Sequence, residues 1–560
     1  MNGTYATACH GSTHRSSPPS LERLEPRRLL AVAGVPVKLG AGGLDMGQRI
    51  AHTPDGGYVV AGLFAGTVDF DPGPGLTAGV SRGDTDIFVA KFSSAGALEW
   101  VDQFGDKQWK DAINDQDVID IAADPRRAGG QFISGVGAGP RGAAEYVNDL
   151  AVAPDGTIVL AGSFVGSVDF DPGPARRVLA TADDEFHDAF VVKLGASDGS
   201  LIWAQQFGDR FTDIASTLAI DSSGNIIVGG LFTRTVHFVP GNRRFTRTAV
   251  GRADGYVMKL ASDGSVRWIN SIGGDAVGRA ERDSVNDVAV DAAGNVYAVG
   301  AFVGDDVDFN PAASLRSVLK SVDKTDGFLA KYSAAGRLLY AGSMGGEGYD
   351  ALTHVVVDSD RSVLVAGYFQ GEDFDADPGP RRRVLAATPE KPGDDPRFTD
   401  LFVQKIAAGR TVWLQQLAGT GSEFIGDMKL DAANNLVLAG SFYGRARFGA
   451  SRPLGPLLSS VPGLDDFDDS NDSDRQHSYD AFIWKLTNAG SPQWVRTLGI
   501  DADDFAAAVS IASDQSILVT GRFRGLVDFD TTAGGMRRLR GLGVADAFVT
   551  QLDPTGLPLL

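Results

Sequence analysis

The chain has 560 residues, of which 43% are hydrophobic and 22% charged, so it is long enough to bury a large core. Its formal net charge of −20 disfavours nucleic acids and anionic membrane surfaces as partners, because both are recognised by basic surfaces. The single cysteine, Cys9, excludes an internal disulfide, and no stretch approaches the roughly 20 apolar residues of a membrane-spanning helix.

The N-terminal 32 residues are predicted to form a disordered leader or sorting segment outside the folded domain. Residues 1–19 are rich in Ser, Thr, Gly and His, a composition typical of disorder. Three arginines then precede a short apolar run at residues 29–37, which is at the short end for a signal peptide. We expect residues 33–560 to form a single folded domain.

From residue 33 onwards the sequence repeats one unit seven times. The first landmark, AGSF in its clearest copy, begins at Ala61, Ala161, Gly229, Val299, Ala366, Ala439 and Thr520. The second, DAFVVKL in the same copy, begins at Asp86, Asp188, Asp254, Asp326, Asp400, Asp480 and Asp546. An aromatic residue follows at Trp100, Trp203, Trp268, Tyr340, Trp413 and Trp494. The recurrence of three landmarks in one order identifies a repeat architecture.

Each unit is predicted to contain four short β-strands, A to D. Strand A resembles LAVAPDG, strand B carries AGSF, strand C alternates its side chains with period two, and strand D holds the tryptophan. Pairs such as Gly224-Asn225 and Asp263-Gly264 lie between strands, where tight hairpins need a positive φ. No helical periodicity of useful length is present, so the predicted fold class is all-β.

Seven units of four strands predict a seven-bladed β-propeller of four-stranded antiparallel blades. Insertions interrupt it at about residues 107–146 and 449–479. The last unit stops at Leu560 with its strand D cut short, whereas residues 35–40 (VPVKLG) match residues 100–105 (WVDQFG) at hydrophobic positions and at the final glycine. We therefore expect the ring to be closed by an N-terminal strand that pairs with the last blade and covers its edge.

Two family resemblances follow from these motifs. The units, with GSVDFDPG, DAFVVKL and GSLIWAQQFG in the second copy, resemble the bacterial SBBP-type β-propeller repeat along residues 39–560. The segment LERLEPRRLLA, residues 21–31, resembles the N-terminal LEPR-XLL segment of exported planctomycete proteins. The resemblances imply a propeller fold and export to the exterior or surface of a bacterial cell, and they imply no reaction.

The repeat predicts one elaborated face. All long loops are B–C loops or the D–A insertion, and these connections emerge on the same side of an antiparallel blade. Variable loops on a rigid scaffold usually form the surface that binds a partner. In five units strand B ends in a pair of acidic or amide residues, Asp69/Asp71, Asp169/Asp171, Asp308/Asn310, Asp375/Asp377 and Asp528/Asp530. These pairs are the candidate calcium ligands, because calcium takes six to eight oxygen ligands. The alternative is that the aspartates cap a turn by accepting backbone N–H groups.

Other repeated or charged residues are interpreted as structural. The strand-C lysines recur in six units and are expected to pair with aspartates, since a catalytic amine would be needed once. The strand-D tryptophans are expected to pack between neighbouring sheets. The acidic segment at residues 465–474 is expected to be a solvated loop.

The sequence favours a non-enzymatic, secreted or cell-surface binding or structural module. It would act as a monomer and present its B–C/D–A loop face to an unknown extracellular protein or glycan. Two alternatives stay open: a polysaccharide lyase or hydrolase with its site at the central channel, and a scaffold that calcium only stabilises. An enzyme should break the repeat symmetry with unique titratable residues, which stand chiefly in the first insertion at Asp111, Asp115, Asp117 and Asp120.

Overall fold

The computed structural model describes most of the chain from residue 37 onwards. The described residues are 37–40, 43–73, 75–82, 85–105, 145–183, 185–274, 282–310, 316–388, 399–449, 456–460, 478–500, 502–530 and 537–559. The predicted leader, most of both insertions and the acidic segment at 465–474 therefore lie outside the described residues.

The described chain forms seven four-stranded antiparallel blades, as predicted, which we number I to VII. The innermost strands A are β2 (Asp45–His52), β8 (Glu145–Val152), β14 (Ile214–Ile220), β20 (Ser284–Val290), β26 (Ala351–Val357), β32 (Glu423–Leu430) and β38 (Asp504–Ile511). Strands B are β3 (Tyr58–Phe64), β9 (Ile158–Phe164), β15 (Ile226–Phe232), β21 (Val296–Phe302), β27 (Val363–Phe369), β33 (Leu436–Tyr443) and β39 (Ile517–Phe523).

The outer half of each blade follows the same pattern. Strands C are β6 (Asp86–Phe92), β12 (Asp188–Leu194), β18 (Asp254–Leu260), β24 (Asp326–Tyr332), β30 (Asp400–Ala407), β36 (Tyr479–Leu486) and β42 (Asp546–Leu552). Strands D are β7 (Leu98–Phe104), β13 (Leu201–Phe207), β19 (Val266–Ile272), β25 (Leu338–Met344), β31 (Arg410–Gly419) and β37 (Pro492–Leu498), with β1 (Val37–Leu39) in blade VII.

The B–C loop of every blade contains a short two-stranded hairpin that the sequence pattern did not predict. The hairpins are β4 (Thr67–Asp69) with β5 (Ala78–Val80), β10 (Ser167–Asp169) with β11 (Val178–Ala180), β16 (Thr235–His237) with β17 (Thr246–Thr248), β22 (Val307–Asp308) with β23 (Val318–Leu319), β28 (Phe374–Asp375) with β29 (Val384–Leu385), β34 (Arg445–Phe448) with β35 (Leu457–Ser459), and β40 (Leu526–Asp528) with β41 (Arg538–Arg540). Helix in the described residues is limited to a 3₁₀ turn at Arg243–Phe245.

The apolar core lies between neighbouring blades. Each strand A contacts strand A of the next blade, and strand A of blade VII contacts that of blade I, so the sheets form a closed ring. Seven large buried clusters lie at the seven junctions, each drawing side chains from two adjacent blades. At the junction of blades I and II, for example, Phe104 packs on Phe170 with ring centroids 5.8 Å apart. Burial of one such side chain contributes about 2–3 kcal/mol, so every junction stabilises the ring.

Both ends of the chain build the outer strand of blade VII, which confirms the predicted closure and completes it. Strand β1 pairs with Ala547–Val549 of strand C. Further along the same edge the N–H of Leu559 donates to the carbonyl oxygen of Gln551, at 3.0 Å, and Pro558 bridges Leu552. The outer strand of blade VII is therefore composite: its first half comes from the C-terminus and its second half from β1. We call it the closing strand.

The similarity between the segments VPVKLG and WVDQFG extends to equivalent side-chain contacts. In blade I, Gln103 of strand D donates to the carbonyl oxygen of Val80 on the hairpin and to Asp86 at the start of strand C. Lys38 of β1 makes the equivalent contacts, to the carbonyl oxygen of Arg540 at 3.4 Å and to Asp546 at 3.1 Å. Both segments end in glycine, because a Cβ at Gly40 or Gly105 would collide with the aspartate of strand C.

The repeated lysines and tryptophans have the structural roles that the sequence predicted. Lys259 pairs with Asp221 of the A–B turn at 2.8 Å, and Lys485 pairs with Asp431 at 2.9 Å. The indole Nε1 of Trp203 donates to the carbonyl oxygen of Ser262 in the C–D turn of the next blade, at 3.1 Å. Equivalent bonds join Trp268 to Ala334, Trp413 to Asn488 and Trp494 to Pro554. These four tryptophans thus link the outer strands of blades II, III, V and VI to the following blade.

Candidate functional site

The predicted calcium pairs lie at the tips of the B–C hairpins, where their first members act as turn caps. Asp169 Oδ1 accepts the N–H of Asp171 at 3.3 Å and that of Arg177, on the returning strand, at 2.9 Å. The same two bonds recur at Asp69, Asp308, Asp375 and Asp528. Each aspartate therefore ties together the two ends of its hairpin tip.

The second members of three pairs serve the turn that follows. Asp71, Asp171 and Asp377 accept the N–H groups of Gly73, Gly173 and Gly379 at 2.7–2.8 Å. These carboxylates are thus occupied, at least in part, by the backbone of their own loop, as the turn-capping alternative predicts.

In blades IV and VII the second members are Asn310 and Asp530, and both are half-buried. Asn310 donates its backbone N–H to Asp308 Oδ1 at 2.9 Å, and Asp530 donates its own to Asp528 Oδ1 at 3.0 Å. Both residues therefore take part in the cap of their hairpin through the backbone. Asn310 also differs from the other four second members in offering an amide oxygen and no carboxylate, so its pair would be the weakest calcium ligand of the five.

The structure does not bring the five pairs together into one metal site. They stand in five different blades, and within the described ranges no three His, Cys, Asp or Glu side chains approach closely enough to hold a metal ion. The candidate ligands concerned are Asp69, Asp71, Asp169, Asp171, Asp308, Asn310, Asp375, Asp377, Asp528 and Asp530. A shared calcium site built from several pairs therefore disagrees with the geometry, because the repeat separates them by one blade or more. Calcium binding by single pairs stays a prediction.

The hairpins of blades IV, V and VI are fixed by backbone pairing against the blade before them. β34 of blade VI pairs with strand D of blade V along three residues, so blade V carries six strands. Asp308 and Asp375 form isolated antiparallel bridges with Gly273 and Gly345, at the ends of the preceding outer strands. The hairpins therefore lie on a rigid base.

A buried aspartate opens strand C beneath each hairpin. Asp254 accepts the N–H of Val250 and Asp326 that of Val322, so these carboxyl groups cap the end of the B–C loop. Burial raises the pKa of Asp188, Asp254 and Asp326 to about 7, because the charged form is poorly solvated there. This part of the loop face consequently carries less negative charge at neutral pH than the sequence suggests.

The central channel contains unique polar residues of the kind that the sequence placed chiefly in the first insertion. Every inner strand has a β-bulge at the same position, and the residues that follow the bulge are Arg49, Asp149, Thr217, Asp287, His354, Asp427 and Ala508. A bulge re-aims the side chains after it, which places this variable column at the channel. In the sequence these residues occupy a position that varies between the units, next to an apolar position that is repeated.

Three carboxylates of this column join inner strands across blade junctions. Asp149 accepts the N–H of Leu218, on the next blade, at 2.7 Å. Asp287 accepts that of Val355 at 2.7 Å, and Asp427 accepts that of Val509 at 3.2 Å. These bonds connect blade II to III, IV to V, and VI to VII.

Polar contacts at the other four blade junctions complete a ring of contacts around the channel. Arg49 Nε lies 3.6 Å from Asp149, and Thr217 donates to Asp287 at 2.9 Å. His354 Nε2 lies 3.1 Å from the carbonyl oxygen of Gly426, and His52 Nδ1 lies 2.8 Å from Ser510 Oγ. We call this ring of seven junction contacts the polar belt.

The channel is a cavity of about 440 Å³ that runs from the polar belt towards the A–B turns. Lys429 stands in it, 2.7 Å from Asp427, with 47% of its side chain exposed to the channel. Burial opposes the charge of this amine, but Asp427, Asp149 and Asp287 outweigh that effect and raise the pKa of Lys429. Burial raises the pKa of Asp287 to about 7 and lowers that of His354 to about 4.

The residues of the polar belt join neighbouring blades. Their carboxylate oxygens accept two or more hydrogen bonds from neighbouring backbone or side chains, so their position is accounted for by ring closure. The alternative enzyme hypothesis therefore gains no support from these groups, and Asp111, Asp115, Asp117 and Asp120 lie outside the described residues.

Comparison with known proteins gives a distant relative in sequence. No family model matches the chain. An uncharacterised WD repeat-containing protein of Acanthamoeba polyphaga mimivirus is 20% identical over 431 residues, which cover 68% of this chain and 29% of that protein. The chain thus spans less than a third of the length of this relative.

Solved structures that match include a quinohemoprotein alcohol dehydrogenase from Comamonas testosteroni and Sqt1 from Chaetomium thermophilum. The first is 12% identical with a TM-score of 0.37, covering 93% of this chain and 77% of that one. The second is 12% identical with a TM-score of 0.33, covering 76% and 98%. Among the described residues no helix has the length and apolar character to cross a membrane. The chain is a seven-bladed β-propeller with a distant WD-repeat-like relative, a fold consistent with a binding or scaffold module.

Proposed function

We propose that the protein is an exported, non-enzymatic binding module that docks a partner protein on its B–C hairpin face. The observation that carries the proposal is the position of exposed apolar side chains. Val178, Val318, Val384 and Leu457 occupy the same register position in four hairpins, and each is 40–47% exposed. Other exposed apolar residues lie in the B–C loops of blades I, III, IV and VII, namely Leu76, Val80, Val250, Val322 and Leu542.

This arrangement has the properties of a recognition surface. Exposed apolar side chains at repeated positions on one face mark interaction sites more often than scattered ones do. The hairpins that carry them are held by aspartate caps and by pairing with the preceding blade, so little conformational entropy is lost on binding. The apolar character favours a protein over a glycan as the main partner on these hairpins.

The polar belt supports a binding role over an enzymatic one. An active site at the channel would need titratable groups free to act on a substrate. The carboxylates there accept backbone N–H groups of neighbouring blades, and the pKa of His354 is lowered to about 4 by burial. Such groups stabilise the ring.

Export is proposed from the LEPR-XLL resemblance of residues 21–31. The test is fractionation of the source cells with an antibody to the propeller. Detection outside the cytoplasm, abolished when residues 21–31 are replaced by a Gly/Ser sequence, supports export. Retention of both forms in the cytoplasm would contradict it.

The docking face is tested with a matched pair of triple variants. In the hairpin variant Val178, Val318 and Val384 become serine. In the control Ile202, Leu339 and Val412 become serine, since these side chains are 43–56% exposed on outer strands D. Labelled protein is applied to the isolated envelope of the source cells. Saturable binding that the hairpin variant loses and the control keeps supports the proposal, whereas equal binding by both variants rejects this face.

A further inference from the structure

Blade III lacks a contact that joins the hairpin to the outer strand in blades I, II and V. In blades I, II and V a strand-D glutamine bridges to a hairpin carbonyl: Gln103 to Val80, Gln206 to Ala180 and Gln416 to Ala386. In blade III this position is Ser271, as it is Ser343 in blade IV and Thr497 in blade VI, and these side chains are too short to reach across. A gap is therefore left between β17 and β19.

A second substitution puts a cation beside this gap. The inward position of the second hairpin strand is occupied in the other six blades by Gly79, Leu179, Leu319, Leu385, Leu458 and Leu539. In blade III it is Arg247. Its guanidinium donates to the carbonyl oxygens of Arg244 at 3.0 Å, Thr246 at 2.9 Å and Ile269.

Arg247 is half-buried and, within the described part of the chain, forms no ion pair with a carboxylate. Burial lowers the pKa of this guanidinium, as expected for a cation whose neighbours are neutral. Buried charges in proteins are normally paired, and in a chain of net charge −20 an anionic partner is easily supplied by the sequence. An arginine at a wall of a pocket that has carbonyl partners but no carboxylate partner among the described residues therefore points to an anion from outside.

The pocket itself has a volume of about 520 Å³ and is lined by Arg244, Arg247, Trp268 and Ser271, together with Thr246 and Thr248. Its volume lies within the range of small-ligand sites. Two guanidinium groups and the hydroxyl group of Ser271 suit an oxyanion, which arginine binds through a planar pair of donors. Trp268 adds an aromatic surface next to these donors.

The acidic pair found on other hairpins is missing next to the pocket. Its positions in blade III are His237 and Val239, and the loop that follows carries Arg243, Arg244 and Arg252. The local charge is thus opposite in sign to that of the whole chain, which favours an anionic ligand at this blade.

We propose that this pocket of blade III binds the sulfate or carboxylate group of an acidic saccharide. The anionic group contacts Arg247 and Arg244, the hydroxyl group of Ser271 binds a further oxygen, and the sugar ring lies against Trp268. This inference goes beyond the docking face proposed above and does not require that face to bind a protein.

The test compares variants that convert blade III to the pattern of its neighbours. Arg247→Leu introduces the residue found in five other hairpins, and Ser271→Gln introduces the bridging glutamine of blades I, II and V and fills the gap. Both are expected to fold, which melting curves establish. Arg410→Leu removes an exposed arginine elsewhere and controls for net charge. Titration calorimetry at constant ionic strength uses a sulfated disaccharide, its unsulfated form and inorganic sulfate as probes.

We expect the wild-type protein and Arg410→Leu to bind the sulfated disaccharide equally, and both pocket variants to bind it about tenfold more weakly or worse, the loss of one charge-assisted hydrogen bond. Equal binding by Arg247→Leu or Ser271→Gln overturns the site. Equal affinity for the unsulfated disaccharide overturns the role of the anion, and equal affinity for inorganic sulfate overturns the saccharide. Failure of the envelope-binding assay leaves these outcomes unaffected.

Discussion

His354 Nε2 lies 3.1 Å from the carbonyl oxygen of Gly426 on the neighbouring inner strand, and this contact joins blade V to blade VI in the polar belt. The ring is buried and its Nδ1 lies 3.0 Å from Thr353 Oγ1. A neutral imidazole satisfies both neighbours. Burial of the ring, and not the contact with Gly426, disfavours the protonated imidazole, so the stability of this junction depends on the protonation of one side chain.

The first prediction concerns this pH dependence. Burial lowers the pKa of His354 to about 4, below its value of 6.5 in an unfolded chain, so the unfolded state binds more protons between these values. Stability from this residue is present above pH 6.5 and is lost as the pH falls to 4, by about 3 kcal/mol. His354→Gln, which keeps a neutral donor, should weaken this acid sensitivity in urea unfolding measured from pH 4 to 8.

The control is His237→Gln, on an exposed hairpin, which should keep the wild-type pH profile. A profile of His354→Gln identical to that of the wild-type protein would contradict the assignment. His52, whose pKa burial also lowers to about 4, contributes in the same direction, so some acid sensitivity remains in the single variant.

The second prediction concerns Asp102, which stands where other blades carry a hydrogen-bond donor. Gln205, Asn270 and Gln415 each donate to a glycine carbonyl in the next C–D turn, at 2.7–3.0 Å. Asp102 faces Gly199 at the corresponding place, and its Oδ2 has no hydrogen-bond partner among the described residues. Asp102→Asn supplies the missing donor and should stabilise the protein at pH 8 by about 1–2 kcal/mol.

This stabilisation should disappear in acid. Burial, with Asp198 and Asp171 nearby, raises the pKa of Asp102 to about 7, so the folded state binds the extra proton. The contribution of the protonated carboxyl is complete below about pH 4 and is lost as the pH rises through 7. Thermal melts of Asp102→Asn and wild type should therefore converge towards pH 4. A constant difference at all pH values would refute the explanation, and Gln205→Ala should be destabilising throughout.

The third prediction concerns the closing strand. Lys38 pairs with the fully buried Asp546 and also donates to Arg540, as glutamine does in other blades. Lys38→Ala leaves a buried carboxylate without its cation and should cost about 3 kcal/mol. Lys38→Gln should recover most of this loss, because an amide makes both contacts at Gln103. Guanidinium unfolding measures the two values, and equal losses for both substitutions would count against the equivalence.

The fourth prediction separates turn capping from calcium binding at the hairpin tips. Asp169→Asn keeps the accepting oxygen for Asp171 and Arg177 and should change stability by less than about 0.5 kcal/mol, whereas Asp169→Ala should cost about 1 kcal/mol. Melting with calcium and with chelator tests the metal. Binding to the pairs predicts a calcium-dependent rise in melting temperature that Asp169→Asn reduces, because a ligand of the folded state stabilises it. No shift would remove the calcium hypothesis.

Strong features of the fold were predictable because they repeat. Landmarks such as AGSF and DAFVVKL carry the apolar periodicity that defines strands B and C, and seven copies define the blades. The closing strand was predictable from six residues. Its packing position requires a large apolar side chain followed by glycine, which Leu39 and Gly40 supply as Phe104 and Gly105 do in blade I. The hairpins were missed because their strands are two to four residues long, too short for a periodic signal.

The polar belt and the blade III pocket were not predictable in the same way. Arg49 and His354 reach the channel only because a bulge shifts the alternation of strand A by one residue, which a period-two pattern cannot anticipate. Arg247 and Ser271 are far apart along the repeat and become neighbours through the fold of the hairpin onto strand D. In the sequence the belt is a position that varies between units, and Arg247 is an exception at a position that is otherwise leucine or glycine.

The composite closing strand has a consequence for assembly between molecules. Residues 37–39 occupy an edge of β42 that any second copy of the same segment fits equally well. A protein shortened by its first 40 residues exposes that edge and should accept β1 from an intact molecule. At high concentration intact chains should likewise exchange these segments and form strand-swapped dimers, in which each ring is completed by the other chain.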